Sequence, residues 1–181
     1  MPIDEAFLES LRVRAIGRDV DTSGFSCEKN IDWYVKNAAC DHHEKRIAAV
    51  HCFMHGAEVA GYVTTSMADI KFNDKKLRDG LGLGGILLRE GGSLRERFPA
   101  LLIGMLGVST AFQRKGLGER MVMHAIGLAS TLSDGAGCRL VVVDSDKTDR
   151  ALALYRKLNF REVQVRDTTV QMLYDLGPRQ S

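Results

Sequence analysis

The chain has 181 residues, enough for one domain with a hydrophobic core, and its 45% hydrophobic and 27% charged content is that of a folded globular protein, not a disordered one. A net charge of +2 is too weak a bias to mark a nucleic-acid binder by itself. No stretch reaches the roughly 18 uninterrupted apolar residues of a membrane span, and the first residues, with Asp4, Glu5 and Glu9, lack the basic start of a secretory signal. A single domain in the cytoplasm, with no membrane attachment, is therefore expected. The four cysteines, Cys27, Cys40, Cys52 and Cys138, show no C-x-x-C spacing and are expected as reduced thiols.

In chain order, residues 12–16 read as a first strand. Ser26 then caps a helix over about 28–46, in which Ile31, Tyr34, Val35 and Ala38 recur at helical spacing. Two β-rich runs, 47–54 and 57–67, flank His55-Gly56 and form a hairpin. Over 68–99 the pairs Asp79-Gly80, Gly84-Gly85 and Gly91-Gly92 break the pattern, which reads as a substrate-side irregular loop with a short helix. A strand over 101–108, an amphipathic helix over 116–132 and a buried strand over 140–143 follow. A helix over about 148–158, closed by Asn159, leads into strands near 161–165 and 169–176. The expected fold is mixed α/β, a central and mostly antiparallel sheet flanked by helices on both faces.

The window 102–160 carries the chemistry. After an apolar strand, Gln113-Arg114-Lys115-Gly116-Leu117-Gly118 opens a helix whose Met121, Val122, Ala125 and Leu128 can face the core. Glycines at 116 and 118 let backbone N–H groups approach a ligand, and the helix N-terminus adds partial positive charge. Together with the cations Arg114 and Lys115, this makes a cradle for a diphosphate. No Gly-Lys-Ser/Thr follows, which argues against a nucleotide triphosphatase, and Met121 replaces the third glycine of a Rossmann fingerprint.

These residues resemble the GNAT N-acetyltransferase family, whose motif Q/R-x-x-G-x-G/A is matched in register by Gln113, Gly116 and Gly118. Downstream, the run from Ala151 through Tyr155 to Phe160 is similar to the family's A-x-x-F/L-Y-x-K-x-G-F element, with Asn159 in place of glycine. The resemblance implies a GNAT-like fold and acetyl-CoA as acyl donor, with no metal. The strand backbone at Leu106, Gly107 and Val108 would meet the pantetheine arm. Gln113, Arg114, Lys115, Gly116, Leu117 and Gly118 would hold the diphosphate. Tyr155 would protonate or hydrogen-bond the departing thiolate, as a phenol with a pKa of about 10 can.

A narrower resemblance concerns the acceptor. Phe25-Ser26-Cys27 to Lys36 looks like the F-x-C-G-x-x-x-L-D-x-F-L-K segment of toxin-type acetyltransferases from bacterial toxin–antitoxin pairs, with Glu28 at the glycine. Arg97-Phe98-Pro99 to Val108 is similar to their R-Y-P-x-P-x-L-L-L-G-R-L-A-V, with Met105 at the second arginine. This implies the α-amine of an aminoacyl-tRNA as substrate and a small antitoxin protein as partner. A small-molecule or protein amine, or a non-catalytic acetyl-CoA binding module, stays open as an alternative.

Arg89, Arg95 and Arg97, with Arg150, Arg156, Lys157, Arg161 and Arg166, are either a basic face for RNA or ordinary solvated surface. No base is identifiable, since Asp69, Glu90 and Glu96 only border the loop. An α-amine, with a pKa of about 7.7 to 8.0, needs a base less than a lysine does. His42, His43, His51 and His55 lack a metal-ligand spacing, and His51 and His55 would share a strand face. A homodimer is a further expectation from the family.

Overall fold

The computed structural model describes residues 3–72, 75–83, 88–90, 93–95 and 97–178, with the backbone alone in 88–90 and 93–95. Its elements are α1 (Glu5–Ser10), β1 (Arg12–Ala15), α2 (Lys29–Asn37), α3 (Ala39–Glu44), β2 (Ala49–His55), β3 (Glu58–Lys71), α4 (Lys75–Gly80), β4 (Leu88–Glu90) and β5 (Ser93–Arg95). There follow β6 (Arg97–Val108), α5 (Leu117–Ala136), β7 (Leu140–Asp146), α6 (Asp149–Lys157), β8 (Arg161–Val165) and β9 (Thr169–Asp175). Seven strands form one open, mostly antiparallel sheet in the order β1-β2-β3-β6-β7-β9-β8, and β4 pairs with β5 as a separate ribbon. With its flanking helices this is the mixed α/β architecture expected. The chain divides into two compact units, Met1–Ser66 with Ile103–Ala125 and Met67–Leu102 with Ile126–Ser181.

In the first unit, β2 and β3 form the expected antiparallel hairpin, turning at Gly56 with φ +61° and bulging between Phe53 and Met54. Its core gathers Phe25, Tyr34, Val35, Ala39, Val50, Cys52, Val59 and Tyr62. Burying a large apolar side chain is worth about 1.5–3 kcal/mol, so this cluster anchors the unit. The Tyr62 hydroxyl donates to the Ile31 carbonyl at 2.7 Å, and the Phe25 ring meets Tyr62 at 5.5 Å and 64°.

Two local features differ from those the sequence leads one to expect. The helix expected over 28–46 breaks at Ala38, where φ is −126° and ψ −26°; with that break Ala39 of α3 joins Tyr34 and Val35 of α2 in one core. Ser26 does not cap α2. Glu28 is the N-cap residue, without a side-chain bond, while the Ser26 carbonyl accepts both the N–H and the hydroxyl of Thr110.

In the second unit, β7 pairs with β9 and β9 with β8, Val142 standing opposite Leu173. The stretch expected as an irregular loop over 68–99 holds the end of β3, α4, β4, β5 and the start of β6. Ile70, Phe72, Leu81, Leu83 and Ala100 are buried with Leu140, Val142 and Leu173, and Leu77, Phe98 and Leu102 pack against them. The alternation 98, 100, 102 is a strand's one-face pattern, and it outweighs the neighbouring glycines. Residues 84–87, 91, 92 and 96, including Gly84-Gly85, Gly91-Gly92 and Glu96, lie outside the described residues. Arg139 spans this unit, donating to both oxygens of Asp175 at 2.7 and 2.9 Å and to the Leu81 carbonyl at 2.6 Å.

Candidate active site

The first unit builds the loop 113–118 from a strand end. Gly107 on β6 sits where a Cβ would lie 2.4 Å from Ile31 Cγ2, 3.0 Å from the Tyr62 ring and 3.3 Å from Phe25, so only glycine fits. Past Val108 the Ser109 N–H donates to the Ala60 carbonyl and Thr110 is tied to Ser26, which fixes a 3-10 turn over Thr110–Phe112. The Gln113 side chain turns back and donates to the Val108 carbonyl at 3.2 Å. Two residues then take left-handed backbone, Arg114 with φ +64° and Gly116 with φ +90°. The second conformation is easy for glycine; the first is uncommon for arginine and marks a tightly specified turn.

Helix α5 starts at Leu117, and the Gly116 carbonyl accepts the Arg120 N–H. The first-turn N–H groups of a helix have no acceptor within it, and they carry about half a positive charge between them. Gly118 lies in that turn. Behind it Met121, Val122 and Ala125 are buried, as their spacing predicts, Leu117 is buried as well, and Leu128 is half-buried. Arg114 is exposed, whereas Lys115 is half-buried with its ammonium 4.8 Å from the Phe7 ring centre. The loop thus offers backbone donors, a helix N-terminus and two cations in six residues. That is the equipment for binding a diphosphate.

Cys27, part of the narrower motif, is half-buried in this unit. Burial raises its thiol pKa, against the backbone N–H groups of Glu28 and Val108. Burial likewise pushes Cys52 to about 11, so both stay protonated and poorly nucleophilic near neutral pH. All four cysteines are free. Trp33, although it belongs to the same motif as the core residue Phe25, is 59% exposed.

The histidines take separate roles. The His42 Nδ1 lies 3.1 Å from the Tyr34 hydroxyl, and the His43 Nδ1 accepts the Val50 N–H at 3.1 Å. The bulge between Phe53 and Met54 interrupts the alternation by which His51 and His55 would share a face. His51 meets His124, and His55 meets Phe7 and Phe112. Among the described residues no group of three or more His, Cys, Asp and Glu is disposed to hold a metal ion.

In the second unit, the Thr148 hydroxyl caps α6 by accepting the Ala151 N–H, and Asn159 closes the helix, as its sequence predicts, with φ +64°. Tyr155 on this helix is 6% exposed, with its ring edge-on to Phe160 at 5.3 Å and 63°. Burial, then the neighbouring Asp146 carboxylate, pushes its phenol well above the ordinary tyrosine range. A phenol so placed keeps its proton at any physiological pH and serves as a donor.

The charged candidates are largely engaged. Arg97 holds both oxygens of Asp69 at 2.8 and 2.9 Å, which removes Asp69 as a free base. Arg156 pairs with Glu162 and Arg166 with Asp144. The side chains of Arg89, Glu90 and Arg95 lie outside the described residues. Among the described residues no helix is long and apolar enough to cross a membrane.

Residues 77–162 match the family model described as an acetyltransferase (GNAT) domain. No curated protein matches the chain in sequence. Solved structures share its fold: a tyrosine-to-phenylalanine mutant of KacT is 18% identical, covers 92% of this chain and 95% of its own, and has a TM-score of 0.76. AtaT complexed with acetyl-methionyl-tRNAfMet is 16% identical over 91% of this chain and 94% of its own, with a TM-score of 0.75. An AtaT mutant toxin bound to acetyl-CoA and the C-terminus of the antitoxin AtaR is 17% identical over 92% and 93%, with a TM-score of 0.71.

Proposed function

We propose that this chain, which carries a GNAT acetyltransferase domain and uses acetyl-CoA as its acyl donor, acetylates the α-amine of an aminoacyl-tRNA in the cytoplasm and is the toxin of a toxin–antitoxin pair. The observation that carries the reading is the fold shared, over nine-tenths of the chain, with AtaT complexed with acetyl-methionyl-tRNAfMet. The two motif segments beginning at Phe25 and Arg97 support it independently.

In this reading the backbone of Leu106, Gly107 and Val108 receives the pantetheine arm, and Gln113, Arg114, Lys115, Gly116, Leu117 and Gly118 receive the diphosphate. The amine nitrogen attacks the thioester carbonyl carbon, the carbon–sulfur bond breaks, Tyr155 gives its proton to the leaving sulfur, and the proton that the amine loses passes to solvent water, from which the Tyr155 phenolate regains one. Burial keeps Tyr155 protonated, so its hydroxyl is available as a hydrogen-bond donor to the sulfur as charge develops there. Among the described residues Asp69 is engaged with Arg97 and is not a free base, and an α-amine, already partly neutral at physiological pH, needs a base least. A small-molecule amine is the second reading, favoured by the pairing of Arg156 and Arg166 with acidic neighbours instead of a free basic face.

Expression of the chain without a partner tests the first reading. Growth arrest with acetylated aminoacyl-tRNA accumulating is expected, and co-expression of the cognate antitoxin should relieve it. Normal growth with an unmodified tRNA pool, together with acetyl-CoA turnover on a small amine, would establish the second.

A further inference from the structure

Helix α1 is too short to be stable alone, since isolated helices below about a dozen residues are marginal in water. It is held through Phe7. The Phe7 N–H donates to Asp4 Oδ1 at 3.0 Å, its carbonyl accepts the Ser10 hydroxyl at 2.6 Å, and Phe7 is the one buried residue of the helix. The Phe7 ring stacks on Phe112 at 5.6 Å and 12° and meets His55 at 5.5 Å, while His55 and Phe112 are 5.4 Å apart.

This three-ring cluster lies directly against the loop 113–118. Lys115 Nζ stands 4.8 Å from the Phe7 centroid and 5.9 Å from that of Phe112. Ile3 and Leu8, from the same segment, close on Gly116, their nearest atoms 3.2 and 3.4 Å from where a Cβ would be. The face of an aromatic ring attracts an ammonium, most strongly within about 6 Å of the centroid. An ammonium has three N–H donors, so one resting on a ring still has donors for an anion.

We propose that Phe7 is a positioning residue for acetyl-CoA: its ring holds the Lys115 ammonium in place to meet the diphosphate. The inference rests on the diphosphate reading of 113–118 given above. Its physical basis is preorganisation. A lysine loses rotamer freedom when it pairs with an anion, and one already held on a ring has lost that freedom before the ligand arrives.

The test compares acetyl-CoA with S-acetylpantetheine, which keeps the thioester and lacks the diphosphate, on the full-length protein. Affinities are measured by calorimetry for the first and by ligand-observed NMR for the second. Phe7→Leu should weaken acetyl-CoA binding about 3–10-fold and leave S-acetylpantetheine unchanged, whereas Phe7→Trp, which keeps a ring face, should bind both like the wild type. In a Lys115→Ala background Phe7→Leu should add no further loss. Equal losses for the two donors, or an undiminished loss in the Lys115→Ala background, would overturn the proposal and reduce Phe7 to structural support. If Phe7→Leu melts too low to assay, Phe7→Met and Phe7→Tyr make the same comparison, the first filling the site without a ring and the second keeping one. A wild type that binds acetyl-CoA no tighter than S-acetylpantetheine overturns the diphosphate reading itself, a result distinct from a Phe7 failure.

Discussion

The rings of His51 and His124 meet edge to face, 4.9 Å apart at 81°, and among the described residues neither His51 Nδ1 nor His124 Nε2 has a hydrogen-bond partner. Burial lowers both pKa values; His124 and His43 lower His51 further, and Arg120 lowers His124. Just below the ordinary histidine value of about 6.5 the unfolded chain therefore binds more protons than the folded one. The stability due to the neutral pair is complete above that pH and is lost as pH falls through the folded-state values. Calorimetric melts should show Tm dropping between about pH 7.5 and pH 5 more steeply in the wild type than in a His51→Leu/His124→Leu variant. Parallel slopes would mean that the pair does not titrate in this range.

Gly107→Ala tests the close approach of β6 to α2. The added carbon meets Ile31, Tyr62 and Phe25, three side chains locked in one cluster, so overpacking should cost about 1–3 kcal/mol in urea unfolding. Gly127→Ala is the contrasting case. Nothing lies within 4 Å of a Cβ at this position in α5, and replacing a helical glycine by alanine should add stability of up to about 1 kcal/mol.

Gly118→Glu separates cofactor binding from folding. A carboxylate in the first turn of α5 suits the helix dipole, so Tm without ligand should be nearly unchanged. The same charge repels a diphosphate, and acetyl-CoA should bind at least about tenfold more weakly, with its thermal stabilisation of the protein largely gone. Stabilisation by acetyl-CoA equal to that of the wild type would place the diphosphate elsewhere.

Tyr155→Phe removes one hydroxyl from a buried ring that keeps its contact with Phe160. Acetyl-CoA affinity should stay within about twofold while turnover falls about a hundredfold, in the range of a lost general acid. Because burial and Asp146 raise the phenol's pKa, turnover by the wild type should show no basic limb from Tyr155 near neutral pH. Undiminished turnover in the variant would make Tyr155 a packing residue.

Much of the fold is legible in short segments. Thr148 and Asn159 bracket α6, Gly56 turns the β2–β3 hairpin, and the spacing of Met121, Val122 and Ala125 gives α5 its buried face. The stretch from 68 to 99 is not legible locally, because its apolar alternation is interrupted by glycines and its partners, Leu140, Val142 and Leu173, are far along the chain. The break at Ala38 is likewise invisible locally, since no proline or glycine marks it and α2 and α3 both continue a helical pattern.

By itself the sequence determined the β2–β3 hairpin, the glycine loop at 113–118 and the buried face of α5, because turn chemistry, glycine spacing and helical periodicity act between residues a few positions apart, while the acetyl donor came from the family resemblance alone. Only the tertiary structure decided which side chains meet across long separations. It put Phe7 against Lys115, His51 against His124, Arg97 on Asp69 and acidic partners on Arg156 and Arg166. Such contacts follow from sheet register and packing, and these are satisfied by the whole chain at once, not by any local pattern of residues.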